Sequence, residues 1–272
     1  MVKYIFAFLL LYTSLNAGAL SDKIQNLIDS RTYNQNRDFI KIIFSPKSSY
    51  YLGDGVDSVK VIQTLKENRL LGLSFSSAHE LTFTFKTSSN PILFIKIMKD
   101  ALRNIGYYRY LTKKSTLDDD GFSWTISIKS KKIIDPQKLQ KELNKSLCDI
   151  ADINRDTATK WVYDIDIDGA VLNVARLNPD ENLKLKRSLY AKWVDVSQVK
   201  RVYISSSIRN TWYPYVAYYD KSLNLLDVVK VDQKSDNLHL DFEESVYYVK
   251  ISDIYTLKNV RDDLTLTPSG SR

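Results

Sequence analysis

The chain has 272 residues, a net charge of +7 and a single cysteine, Cys148. One cysteine excludes an intramolecular disulfide, so a chain of this length must be held by its buried apolar cores. Lysines alternate with Asp and Glu along the whole sequence instead of gathering in one block, a pattern that solubility alone explains; the N-terminal export signal argues against nucleic acid and leaves anionic lipid, cell-wall polymer or acidic protein as the partners that positive charge would favour.

The first element is "MVKYIFAFLLLYTSLNAGAL". Lys3 precedes an apolar stretch from Tyr4 to Leu15, and Ala17-Gly18-Ala19 supplies a small-x-small site. This is the three-part pattern of a secretory signal over residues 1–19. Its apolar core is shorter than the roughly 20 residues that span a bilayer. The expected product is an exported, periplasmic chain beginning near Leu20.

"LSDKIQNLIDS" reads as a short amphipathic helix and "RDFIKIIFSP" as a strand. From there to about residue 170, helix and strand patterns alternate. "VDSVKVIQTLKENRLL" places Val56, Val59, Ile62, Leu65 and Leu70 at helical spacing, and "LLGLSF" and "ELTFTFK" follow as two strands. "NPILFIKIMKDALRNIG" opens with Pro91 and stops at Gly106, with Ile92, Ile95, Met98, Ala101, Leu102 and Ile105 as its apolar stripe. "YYRYLTKK" and "FSWTISIKS" are the strands after it. "DPQKLQKELNKSL" has Asp135 as N-cap and Pro136 at the first helical position, and strands at "CDIADIN" and "KWVYDIDID" follow. A helix-strand-strand unit therefore recurs at 57–86, 91–129 and 135–168, the period expected of duplicated modules in 20–170.

Asn178-Pro179 marks a boundary. Beyond it, strands come every 8 to 14 residues: "KRVYISSS", "WYPYVAYYD", "NLLDVVKV", "NLHLDFE" and "VYYVKISD", with weaker ones at 183–194 and 262–267. Turn residues separate them and no helical period intervenes. The expected fold is thus α+β: tandem αββ modules followed by an antiparallel β-sandwich over 180–272.

The chemistry-bearing residues are few. Asp164, Asp166, Asp168 and Gly169 match the opening of a calcium loop, but Ala175 stands where the bidentate Glu belongs. Ile165 and Ile167 between the acids make an alternating strand, so the metal reading is rejected. "LDDDG", 117–121, reads as a hairpin turn. His239 and Asp241 share a strand face, without the nucleophile elbow a hydrolase needs. Cys148 has no basic neighbour in sequence to activate it and reads as a buried structural thiol. No phosphate-binding glycine loop exists, so no cofactor is expected.

The remaining signal is aromatic. "WYPYVAYYD", 212–220, holds five of the chain's aromatic rings. It reads as a core strand, as a protein-docking surface or as a sugar-stacking platform. Alternation separates Trp212, Pro214, Val216 and Tyr218 from Tyr213, Tyr215, Ala217 and Tyr219, so at most one set is free for a partner. Trp212, Tyr213, Tyr215 and Tyr219 are the candidate binding residues.

"YPYVAYYDKSLNLLDV", "NLHLDF" and "VYYVKISD" resemble strands of the small β-sandwich modules of secreted bacterial proteins, of the pre-peptidase C-terminal or maltose-operon periplasmic kind. The αββ units are similar in element order to ring-building and POTRA-like modules of envelope machines, which implies protein–protein assembly. The sequence reading that follows is a non-enzymatic scaffold or protein-binding component of an envelope assembly such as a secretion, flagellar or outer-membrane machine. The alternative is a carbohydrate- or cell-wall-binding protein.

Overall fold

A computed structural model describes residues 18–272. The predicted signal lies mostly outside the described residues. The chain divides into two compact units after Ala170, earlier than the predicted start at 180. The cause is residues 171–177, which already belong to the second unit. The Leu172 amide donates to the Tyr248 hydroxyl at 3.1 Å, and the Leu177 amide donates to the Asp195 carbonyl at 2.9 Å.

In the first unit, α1 (18–27) buries Leu20, Ile24 and Leu27, one helical face. Then come α2 (Ser30–Gln35) and α3 (Arg37–Ile43). The latter corrects the strand predicted for "RDFIKIIFSP". A short apolar run does not distinguish the two periods, and as a helix this one buries Ile40 while Ile42 stays exposed.

A two-residue ladder, β1 (Tyr51–Leu52) and β2 (Gly55–Val56), leads into α4 (Ser58–Glu67). Asp57 caps this helix by accepting the Lys60 amide at 2.9 Å. Val61, Ile62 and Leu65 are buried.

Two strands were expected next. Instead Ser74–Thr87 form one strand, β3, whose pairing shifts register between Ser74 and His79. The irregularity absorbs the break that "SSAH" presents in sequence. Downstream, the predicted order holds in α5 (Pro91–Asn104), β4 (Leu111–Asp118) and β5 (Gly121–Lys132), then α6 (Pro136–Leu143), β6 (Asp149–Thr157) and β7 (Lys160–Asp166).

The three helix-led segments share a single sheet of order β4-β5-β3-β7-β6, in which β3 and β7 are parallel and the other pairs antiparallel. One sheet face carries Phe83, Phe85, Trp124, Ile126, Trp161 and Tyr163, all buried. Phe94 of α5 meets Phe122 of β5 edge-on at 5.9 Å. Seating Phe94 there turns α5 so that Leu93, Phe94 and Ile97 are buried while Ile92 is exposed, a rotation of the predicted stripe.

The sheet edge at β6 is covered. Asn26 of α1 accepts the Arg155 amide at 3.0 Å, and the Arg155 guanidinium donates to the Leu27 carbonyl at 2.7 Å. Beside them Lys23 pairs with Asp152 at 2.6 Å, and the Ser58 hydroxyl donates to the same carboxylate at 2.6 Å. Burial pushes the Asp152 carboxyl up, but the Lys23 and Ser58 bonds outweigh it and hold the group below its ordinary range.

The second unit is a β-sandwich. One sheet has the order β13-β12-β15-β10-β8, built from β8 (Ala175–Arg176), β10 (Lys192–Asp195), β12 (Pro214–Tyr219), β13 (Leu225–Lys230) and β15 (Tyr248–Asp253). The other has the order β14-β11-β16-β9, from β9 (Leu183–Leu185), β11 (Val199–Ser206), β14 (Asn237–Asp241) and β16 (Leu264–Ser271). Every pairing is antiparallel except β8 with β10. Val194, Val216 and Ile251 of the first sheet and Val202, Ile204 and Leu266 of the second belong to one buried core.

Candidate functional site

Strand β12 carries the aromatic run, and the core decides its two faces. Val216 and Tyr218 point into the sandwich, where the Tyr218 ring meets Phe242 edge-on at 5.4 Å. Burial, with Asp227 and Asp241 nearby, raises the Tyr218 phenol to about 12. Trp212 is fully buried, and its indole N–H donates to the Ser252 carbonyl at 2.8 Å. It is an anchor of the core and is withdrawn from the predicted binding set, because a ring with no exposed face cannot stack on a ligand.

Tyr215 and Tyr219 lie on the opposite face of the sheet, half-buried, with the buried Ala217 between them. The register sets Ser252 beside Tyr215, Lys250 beside Ala217 and Trp193 across from Lys250. The Tyr219 and Trp193 rings are 4.7 Å apart and tilted by 42°. The Lys250 ammonium sits 5.8 Å from the Trp193 ring centre, a cation–π contact. Burial, then the neighbouring Tyr215, pushes the Tyr219 phenol up.

Tyr213 stands at one end of this face. It meets Tyr255 edge-on, at 5.0 Å and 85°. The buried Asp253 holds both residues in place. Its carboxylate accepts the amides of Tyr213, Tyr255 and Thr256 and the side-chain amide of Asn259, at 2.8–3.1 Å. The Tyr255 hydroxyl bonds Asp232, a bond that raises the phenol.

The outer face therefore comprises Tyr213, Tyr215, Tyr219, Trp193, Lys250 and Tyr255. Sequence reasoning found three of these. Trp193 was missed because it sits in a four-residue strand with no long alternation around it, and Lys250 and Tyr255 because register and loop geometry bring them here. The adjacent sheet edge, β13, exposes Leu225 and Leu226. The Asp227 carboxylate accepts the Val228 amide at 2.7 Å, which occupies a group that a docking strand would need.

The other candidates do not converge. His239 packs against Tyr203 at 4.7 Å, and Asp241 lies 3.7 Å from Arg201. Ser207 bonds Asp262. Cys148 is buried, its thiol pushed up to about 12 by burial and by Asp149 and Asp166. The Asp166 carboxylate accepts the Asp168 amide at 2.9 Å, closing the turn after β7. Among the described residues, no group of three His, Cys, Asp or Glu side chains is arranged to hold a metal ion.

No protein-family model matches this chain, and no curated protein matches it. A solved structure of accessory secretory protein 1, 2 and 3 in Streptococcus pneumoniae is similar at 12% identity, over 36% of this chain and 76% of that chain, with a TM-score of 0.18. A likeness at that level carries no argument about fold or function.

Proposed function

We propose that this chain is a non-enzymatic protein-binding component of a cell-envelope assembly, exported to the periplasm by its N-terminal signal, and that the outer face of the sandwich is its docking surface. The observation that carries the reading is the arrangement of the outward rings. Tyr and Trp side chains fixed on strands bring large contact area at small entropic cost, and Lys250 adds a charged group among them. The rings are tilted or edge-on to one another, at 42° and 85°. Stacking along a sugar chain asks for coplanar exposed rings, so this geometry favours a protein partner over the carbohydrate alternative. The blunted β13 edge and the covered β6 edge favour docking through side chains over strand addition.

The test compares the tagged parent with a Tyr215→Ala/Tyr219→Ala double variant, each crosslinked in intact envelopes and recovered under identical conditions. The expected result is a defined set of crosslinked proteins with the parent that is lost with the variant, the variant keeping its β-rich circular dichroism. Equal recovery of proteins by both, or variant-sensitive retention on a peptidoglycan column without protein crosslinks, refutes the docking reading.

A further inference from the structure

The sheet of the first unit ends in two clefts of opposite charge. Strand β3 reaches both. Ser74 lines one, and Lys86 and Thr87 line the other. Strand at about 3.3 Å per residue separates these ends by roughly 40 Å.

The cleft at the β4–β5 turn has a volume of about 580 Å³ and carries Asp118, Asp120, Asp164 and Asp166 against Lys86. Burial pushes the Asp164 carboxyl up, with Asp152 adding to the shift and Lys86 and Lys23 opposing it. The cleft at the other end has a volume of about 880 Å³ and carries Lys66, Arg69, Lys132 and Lys138 against Asp135. Lys66 and Asp135 already neutralise one another at 2.8 Å, so Arg69, Lys132 and Lys138 are the surplus. Each cleft thus holds four charges of one sign and one of the other, and the two excesses match. Apolar floors accompany them, Phe122 and Ile165 in the acidic cleft, Leu71 and Ile133 in the basic one.

We propose that this chain self-associates head to tail, the acidic cleft of one copy receiving the basic cleft of the next. A two-fold contact centred on either cleft would set it against its own like charge. The complementary contact is heterologous, so each copy keeps one open pole and association continues until it closes on itself or runs on. Its attraction is electrostatic and falls with salt, because the Debye length shrinks from about 10 Å at 0.1 M to about 3 Å at 1 M.

Sedimentation velocity of the exported chain, at about 0.05 M and about 0.5 M salt, tests this. Lys132→Gln/Lys138→Gln removes two of the basic pole's three surplus charges, and Asp118→Asn/Asp120→Asn removes two of the acidic pole's four carboxylates. All four side chains are exposed, and circular dichroism confirms the fold of each variant. The parent is expected to form oligomers at low salt that dissociate at high salt. Each variant alone is expected to associate more weakly by at least about tenfold. An equimolar mixture of the two is expected to form 1:1 dimers that grow no further, since each variant contributes its one intact pole. A parent that stays monomeric at low salt, variants that assemble like the parent, or a mixture that stays monomeric would each overturn the proposal. So would poly-glutamate binding to the basic cleft of a chain that remains monomeric, which would assign that cleft to an acidic partner.

Discussion

Trp212→Ala measures whether the first residue of the aromatic run belongs to the core. A buried indole removes about 150–250 Å² from water, worth about 4–6 kcal/mol at ~25 cal/mol per Å². Alanine keeps a little of that, and the walls around the site collapse only partly, so the expected loss is about 3–5 kcal/mol. Trp212→Phe separates the two contributions. Phenylalanine retains most of the apolar volume but deprives the Ser252 carbonyl of its 2.8 Å donor, at a cost of about 1–3 kcal/mol. Equilibrium urea unfolding followed by far-UV circular dichroism reads both losses from the sandwich transition. A loss below about 1 kcal/mol for the alanine variant would refute the reasoning, since the group removed would then not be filling the sandwich.

Gly121→Ala is expected to destabilise the first unit by about 1–3 kcal/mol in thermal unfolding. Its φ is +117°, and a Cβ there would stand 2.4 Å from the Thr87 carbonyl oxygen. A neutral result would show that the β4–β5 turn does not press on β3. Cys148 supplies a pH dependence. Its folded value, raised to about 12, lies above the ordinary ~8.5, so the unfolded thiol ionises first. Its contribution to stability is present in full below about pH 8.5 and is lost as pH rises towards 12. Native protein at pH 8 should resist iodoacetamide and react after urea unfolding. Rapid alkylation of the native chain would contradict a buried thiol, and a Cys148→Ala variant should lose stability less steeply across that alkaline range.

Local pattern made much of the fold legible. Pro91 and Pro136 begin helices where they were expected, because a missing amide costs nothing at the first helical turn. Trp161, Tyr163 and Ile165 are buried on one side of β7, as their alternation requires. The candidate site was legible only as a pair of faces. Alternation set Trp212 and Tyr218 apart from Tyr215 and Tyr219, but period two is symmetric and does not say which side meets a core. The predicted binding set mixed the two.

By itself, the sequence determined the α+β class, the reliance on cores without disulfides, most strand positions and the pairing of ring faces along 212–220. These follow from composition and from spacings within one segment, where the chemistry is local. Tertiary structure decided what depends on distant residues. It merged three helix-led segments into one sheet through the parallel pairing of β3 with β7, and it ran β3 unbroken through "SSAH". It made a helix of 37–43, turned α5 to seat Phe94 on Phe122, and placed Trp193, Lys250 and Tyr255 around Tyr213, Tyr215 and Tyr219. The physical reason is the same throughout. A short apolar segment fits more than one period and either face, and the choice is made by whatever apolar surface and hydrogen-bonding groups the rest of the chain presents to it.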